Sequence, residues 1–435
     1  MRTVGLYTLG CKVSLYETEA IAERFEKAGF SVLPFDEVCD VYVINTCTVT
    51  AESDAKSRKY IRRAIRRNPG AVVIAVGCYT QRAPEDVAAI PGVSAVIGTA
   101  DKLSAVDVAM KLLDGAATVP VVSSGDLSDA KFEPMCITRA PRTRAYVKIE
   151  DGCECRCTYC AISAARGPVR SKRPEEVISE VEGLFAGGTQ EVVLTGIETG
   201  SYGADLGAGY DLADLLCELD RRHSCTRIRL GSMAPELLSE RFISRVSGLS
   251  ILVPHYHVSM QSGSSAVLRA MKRRYNRDQA LANLHRIREC LPEVTFTADL
   301  MVGFPGESEE DFLDTVRFVR EARLLDAHVF AYSRREGTPA AEYPDQIPEQ
   351  VKQERSRRLM AEVRAVRDEV LSDAVACGTP LSVILESVDG DMLVGHSDSY
   401  IEVKIPRSHG ECGELVFVIP QSHTDGVIYG DVAKI

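Results

Sequence analysis

Three apolar, β-branched runs near the N-terminus each stop at a cysteine: VGLYTLG at Cys11, VYVINT at Cys47 and VVIAVG at Cys78. Short continuous apolar runs of this kind read as buried parallel strands. Helical segments lie between them: YETEAIAERFEKAG, ended by Gly29, and residues 53–67, SDAKSRKYIRRAIRR, stopped by Asn68-Pro69-Gly70. Strand alternating with helix predicts an α/β, doubly wound parallel sheet. In such a sheet the carboxyl ends of the strands share one edge, where ligands bind. Cysteines far apart in sequence would therefore meet in space. Buried core cysteine is the competing reading, but core cysteines would scatter along the strands rather than end all of them. Cys39, just before the second strand, has no such placement.

A chain of 435 residues is long enough for two or three domains. Its 45% hydrophobic and 26% charged residues argue against disorder. No apolar run approaches the ~20 residues of a membrane span, and the N-terminus lacks a secretory core. A cytoplasmic location with no membrane partner is the expectation, and there thiols stay reduced. Fourteen cysteines then read as metal ligands, nucleophiles or core residues rather than disulfides. The net charge of −11 argues against wholesale nucleic-acid binding, although basic segments occur locally.

Residues from about 115 to 142, rich in Gly, Ser, Pro and Asp, read as a connector. A second αβ series follows, with strands expected at 144–150, 191–196, 227–231, 255–260, 295–302 and 326–332. Six βα units predict a curved parallel sheet, a partial (β/α)6 barrel short of the complete eight-unit form. A charged helix at about 346–374 leads to short strands with Gly and Asp turns from Pro380 onward, the pattern of a small all-β barrel. The expected domains are 1–125, 139–370 and 375–435.

Directly after the first barrel strand comes DGCECRCTYC, in which Cys153, Cys157 and Cys160 form C-x3-C-x2-C. Thiolates suit iron–sulfur clusters. Three of them on one loop can hold three irons of a cubane and leave the fourth open to a small chelating molecule. Zinc is the competing reading, but structural zinc sites pair two separated halves and fill four positions. Cys155 reads as a bystander that strand-like alternation aims away from its neighbours.

With these residues in hand, the chain resembles the methylthiotransferase branch of the radical S-adenosylmethionine family. Cys153, Cys157 and Cys160 match its signature, and Tyr159 matches the aromatic position expected beside the adenine of S-adenosylmethionine. Cys11, Cys47 and Cys78 match the ligands of an auxiliary [4Fe–4S] cluster, and the C-terminal module is similar to an RNA-binding TRAM domain. The segments TLGCKVSLYETE, ARGPVRSKRPEE, VLTGIETGSYG, SMQSGS, VGFPGE and FAYSRREGTPA resemble the MtaB-type tRNA enzymes. Ser14, Leu15 and the pair Glu198-Thr199 depart from that pattern.

The resemblance implies two [4Fe–4S] clusters and S-adenosylmethionine as cofactors. It implies methylthiolation of carbon 2 of N6-threonylcarbamoyladenosine at position 37 of tRNA, with an electron donor such as flavodoxin or ferredoxin and a sulfur donor as partners. The branch also contains enzymes for isopentenyladenosine in tRNA and for a ribosomal-protein aspartate. A zinc-loaded RNA-binding scaffold is the non-enzymatic alternative.

Further candidates sit at strand ends. Thr195, Gly196, Gln261, Gly263, Gly303 and Phe304 are expected cofactor contacts, with turn chemistry as the competing reading. Arg229 and Glu236 are weaker candidates. For RNA, Arg58, Arg62 and Arg66 belong to the basic helix of residues 53–67, and Arg166, Arg170, Lys172 and Arg173 follow the cysteine loop. Lys272, Arg273 and Arg274 form a third basic group. A solvated face is the ordinary reading of any one of these.

Overall fold

Strand β1 (Thr3–Thr8) runs into Gly10 and Cys11, and helix α1 (Lys12–Lys27) starts at the next residue. The chain, a computed structural model, is described over residues 1–116, 120–140, 143–207, 209–222 and 226–433. Within the expected connector, residues 117–119 and 141–142 lie outside the described residues, as do the last two of the C-terminal module, 434–435.

The βα pattern continues through β2 (Ser31–Leu33), β3 (Val41–Thr46), α2 (Ala51–Arg67) and β4 (Val72–Gly77). Short helices α3 (Cys78–Arg82) and α4 (Pro84–Ala88) lead to β5 (Ala95–Ile97), α5 (Ala105–Leu113) and β6 (Val121–Ser123). All six strands are parallel in the order β2-β1-β3-β4-β5-β6. Alternate residues of each strand bury opposite faces. Val41, Val43, Ile74 and Val76 meet Ile21 and Phe25 of α1, while Tyr42, Ile44, Val73 and Ala75 meet Ile61 and Ala64 of α2. The sheet is doubly wound. The connector reading is incomplete: β6 extends the sheet, and Met135 and Ile137 are buried in the central core.

The central unit begins with β7 (Arg144–Lys148) and β8 (Glu150–Asp151). It continues through α6 (Ile162–Arg166), β9 (Arg170–Ser171), α7 (Pro174–Ala186), β10 (Glu191–Thr195), α8 (Leu212–Arg221), β11 (Ile228–Leu230) and β12 (Ser232–Met233). Helix α9 (Glu240–Val246), β13 (His255–Gln261), α10 (Ser265–Ala270), α11 (Arg277–Cys290), β14 (Thr295–Val302), α12 (Glu309–Glu321) and β15 (Asp326–Ala331) complete it. Parallel pairing runs β7-β10-β11 and β12-β13-β14-β15. The expected strand at 227–231 is split at Gly231, whose N–H donates to Leu194 O at 2.7 Å. The result is the curved, open six-unit parallel sheet that the sequence predicts. Leu194, Leu230, Val258 and Ala298 pack outward against the helices in the main core.

Helix α13 (Glu349–Cys377) uses Leu359 and Val363 in that core and Leu371 in the next. Strands β16 (Leu381–Asp389), β17 (Met392–Ser397), β18 (Glu402–Pro406), β19 (Leu415–Thr424) and β20 (Val427–Val432) close a five-stranded barrel. It caps the amino ends of the central strands, where Arg229 donates to Asp398 O at 2.9 Å and Arg227 to Ser382 O at 3.2 Å. Among the described residues no helix is long and apolar enough to cross a membrane.

Candidate two-cluster site

Register carries the N-terminal cysteines to one edge. Thr8 lies opposite Asn45 and Thr46 opposite Gly77. Neighbouring strands are about 4.8 Å apart, so Cys11, Cys47 and Cys78 leave β1, β3 and β4 side by side. A Cβ at Gly10 would stand 3.5 Å from Cys47 Sγ. Burial pushes the Cys78 thiol up to about 11, Cys11 and Cys47 add to the rise, and Arg166 opposes it. Burial likewise raises Cys47, with Cys11 adding. Metal binding must displace those protons, and a cluster of soft thiolates fits this donor set. Cys39 is instead buried among Tyr42 and Ile44 as a core residue.

The second cysteine loop hangs from the short β8–β9 hairpin. At Gly152, φ is +94° and a Cβ would strike Pro168 O, so only glycine fits immediately before Cys153. Cys153 N donates to Gly167 O at 3.0 Å and Thr158 N to Met271 O at 3.1 Å, which pins the loop across the barrel mouth. Cys157 lies within electrostatic reach of Cys160, whose thiol burial pushes up to about 11. Cys153 turns instead to Cys155. Cys155 therefore does not point away as alternation implied. Hydrogen bonding to Cys153, with the charges of Arg273 and Arg274, holds its thiol down at about 6 against its burial.

Beside this loop, Tyr159 packs with Phe304, Met271, Met301 and Tyr332 in one apolar cluster. Gln261 takes a left-handed φ of +67°, rare for a residue with a side chain. Among the described residues its buried Oε1 has no hydrogen-bond partner, nor do Ser259 Oγ, Glu150 Oε1, Thr199 Oγ1 and Glu236 Oε2. Each such atom costs about 1–3 kcal/mol. Their gathering near the carboxyl ends of the strands fits a polar ligand such as S-adenosylmethionine. Thr195 is buried, and its carbonyl accepts from Ile149 N at 2.9 Å. The expected glycine contacts have packing duties of their own: Gly196 makes room for Glu150, Gly263 for α12 and Gly303 for Lys352.

The basic candidates divide. On α2, Arg62 and Arg66 are exposed and, among the described residues, carry no ion pair. Arg58 is half-buried and donates to Tyr79 Oη at 2.8 Å. Arg170 and Lys172 are not at the surface: Arg170 pairs with Asp151 at 3.4 Å and Lys172 pairs with Glu180, both in closed interior networks. They are withdrawn as RNA contacts, because a buried, paired cation cannot reach a phosphate. Arg173 is exposed at the start of α7. Arg229 is buried against Glu191 at the opposite end of the barrel.

Arg166 and Arg273, read from the sequence as basic RNA candidates, instead touch the cysteines. Arg166 Nε donates to Cys78 Sγ at 3.1 Å and Arg273 Nη1 to Cys157 Sγ at 3.2 Å. Glu198 is buried beside Arg273, accepts from Ala234 N at 3.0 Å, and is pushed up to about 8 by burial.

The profile of the Radical SAM superfamily matches residues 147–319, and that of uncharacterized protein family UPF0004 matches residues 3–98. A threonylcarbamoyladenosine tRNA methylthiotransferase MtaB of Bacillus subtilis is 41% identical over 96% of this chain and 93% of its own. The chain belongs to the radical S-adenosylmethionine tRNA methylthiotransferase family. A tRNA-2-methylthio-N(6)-dimethylallyladenosine synthase of Pelotomaculum thermopropionicum is 35% identical over 83% of this chain and 82% of its own. In fold, the methylthiotransferase resembles the radical S-adenosylmethionine methyltransferase TsrM of Kitasatospora setae, with a TM-score of 0.59 and 17% identity over 78% of this chain and 77% of that one. As a member of this family the methylthiotransferase is an enzyme that uses [4Fe–4S] clusters and S-adenosylmethionine.

Proposed function

We propose that this methylthiotransferase acts in the cytoplasm on carbon 2 of N6-threonylcarbamoyladenosine at position 37 of tRNA. The carrying observation is identity: the relative named MtaB from Bacillus subtilis is 41% identical over 93% of its length, against 35% over 82% for the dimethylallyladenosine synthase. Lys12 supports the same reading. It follows Cys11 and stands among Arg229, Arg144, Asp299 and Glu191 of the barrel interior, where burial holds its ammonium below the usual lysine value. Among the described residues it has no hydrogen-bonding or ion-pair partner. The threonyl carboxylate is an anion that such a group would take, whereas an isopentenyl substituent would leave it unpaired.

Cys153, Cys157 and Cys160 would hold the radical cluster, and Cys11, Cys47 and Cys78 the auxiliary one. When bound, the first, with S-adenosylmethionine, supplies hydrogen abstraction at carbon 2, and the second supplies sulfur. The chain pins both cysteine sets, offers unpartnered polar atoms to the cofactor, and presents Arg62 and Arg66 to the RNA backbone. An electron donor of the flavodoxin or ferredoxin kind and a sulfur donor complete the cycle. The test is anaerobic reconstitution and nucleoside analysis after reaction with tRNA bearing either N6 group. Methylthiolation of the threonylcarbamoyl nucleoside is expected; methylthiolation of isopentenyladenosine instead would overturn the assignment.

A further inference from the structure

Arg166 is fully buried at the end of α6, and its guanidinium is shared among three elements. Nη1 donates to Glu17 Oε1 of α1 at 2.5 Å and to Asp151 Oδ1 at 3.2 Å, and Nη2 donates to Glu17 Oε2 at 3.3 Å. Nε is turned the other way and donates to Cys78 Sγ at 3.1 Å. Glu17 and Asp151 also pair with Lys102, Lys148 and Arg170, so cations outnumber these two carboxylates. The guanidinium's remaining N–H is aimed at sulfur, and its direction is set by the planar fork. A lysine could satisfy the carboxylates but offers no rigid third donor.

The second cysteine loop repeats the arrangement. Arg273 donates from Nη1 to Cys157 Sγ at 3.2 Å, while Nε is held by Tyr275 Oη at 3.0 Å and Nη2 by Ser259 O at 3.1 Å. Each trio of cysteines thus has one sulfur that accepts from one anchored arginine. Asp151, which anchors Arg166, stands two residues before Cys153. The same guanidinium therefore ties the N-terminal sheet edge to the root of the second loop.

We propose that Arg166 is a positioning residue that hydrogen-bonds the Cys78 thiolate of the auxiliary cluster and raises that cluster's reduction potential, and that Arg273 does the same through Cys157 for the radical cluster. The proposal rests on the ligand assignment above. Hydrogen bonds to ligand sulfur favour the reduced, more negative cluster, so their loss lowers the potential. Separate donors let the two clusters be poised independently although one chain holds both.

The experiment is a redox titration of the anaerobically reconstituted protein, followed by electron paramagnetic resonance so that the two clusters are read separately. Arg166→Lys keeps the charge but loses the Nε donor. The auxiliary potential is expected to fall while the radical one holds. Arg273→Lys is expected to give the converse. If Arg166→Lys leaves both potentials where they were, or moves both alike, the proposal is overturned. Should Arg166→Lys fail to fold, Arg273→Lys decides alone: a fall confined to the radical cluster supports the proposal, and any other result sinks it. Iron analysis of Cys78→Ala separates the two layers. Full iron in that variant refutes the ligand assignment, whereas loss of about half the iron with no shift in Arg166→Lys refutes only the arginine's role.

Discussion

Arg229 grips Glu191 with two parallel hydrogen bonds, Nε to Oε1 at 2.8 Å and Nη2 to Oε2 at 2.9 Å. The pair joins β11 to β10, and Arg229 goes on to the C-terminal barrel through Asp398 O. Burial works to raise the Glu191 carboxyl, but Arg229, Arg144 and Arg227 overcome it and hold the group at about 2 against an ordinary 4.5. A depressed carboxyl stabilises the fold above its unfolded value and loses that contribution as pH falls through the folded one. That contribution, about 3 kcal/mol, disappears between about 4.5 and about 2. Glu191→Gln should cost about 3–5 kcal/mol near neutral pH and flatten this acid limb, as read by denaturant unfolding at a series of pH values.

Gly263 faces α12 so closely that a Cβ would stand 2.6 Å from Thr315 Cα and 2.7 Å from Phe318 Cβ. Gly263→Ala should destabilise the protein by about 1–3 kcal/mol through overpacking. Thermal unfolding reads the cost. S-adenosylmethionine affinity should hold; a loss of affinity at unchanged stability would restore the ligand-contact reading of this glycine.

Arg62 and Arg66 project from α2 without ion-pair partners among the described residues, whereas Arg317 is held by Glu310 and Asp314. Charge reversal to Glu at both α2 positions should weaken tRNA binding and lower the salt slope by about one per lost phosphate contact. The same reversal at Arg317 should leave both unchanged. Filter binding across a range of salt concentrations checks this.

Lys12→Met removes the one ammonium placed beside the barrel interior from α1. Turnover on threonylcarbamoyl tRNA should fall by ~10–100-fold in kcat/KM, the loss of one charge-assisted hydrogen bond. Cleavage of S-adenosylmethionine without tRNA should persist, which distinguishes lost substrate recognition from a damaged cluster.

The strands and the N-terminal cysteine edge were legible because apolar period and strand ends are local properties. VVIAVG could be placed without knowing its neighbours, and Cys78 came with it. The β6 strand, three residues with an exposed Val122, carried too little apolar signal to stand out from a Ser- and Gly-rich connector. The basic residues after the second cysteine loop were read as surface because their partners are remote: Glu17 is 149 positions from Arg166. One local signal was available. Glu17 sits on the stripe of Tyr16, Ala20 and Ile21 that α1 buries, and a carboxylate there requires an interior cation. Arg273 had no comparable mark, since its partner sulfur lies 116 positions away.

Iron and acid-labile sulfide per chain in the anaerobically reconstituted protein test the central claim most directly. Two [4Fe–4S] clusters predict about eight of each, with Cys157→Ala losing about half and all S-adenosylmethionine cleavage, and Cys155→Ser losing neither. Zinc without sulfide, or cleavage that survives Cys157→Ala, would contradict the account.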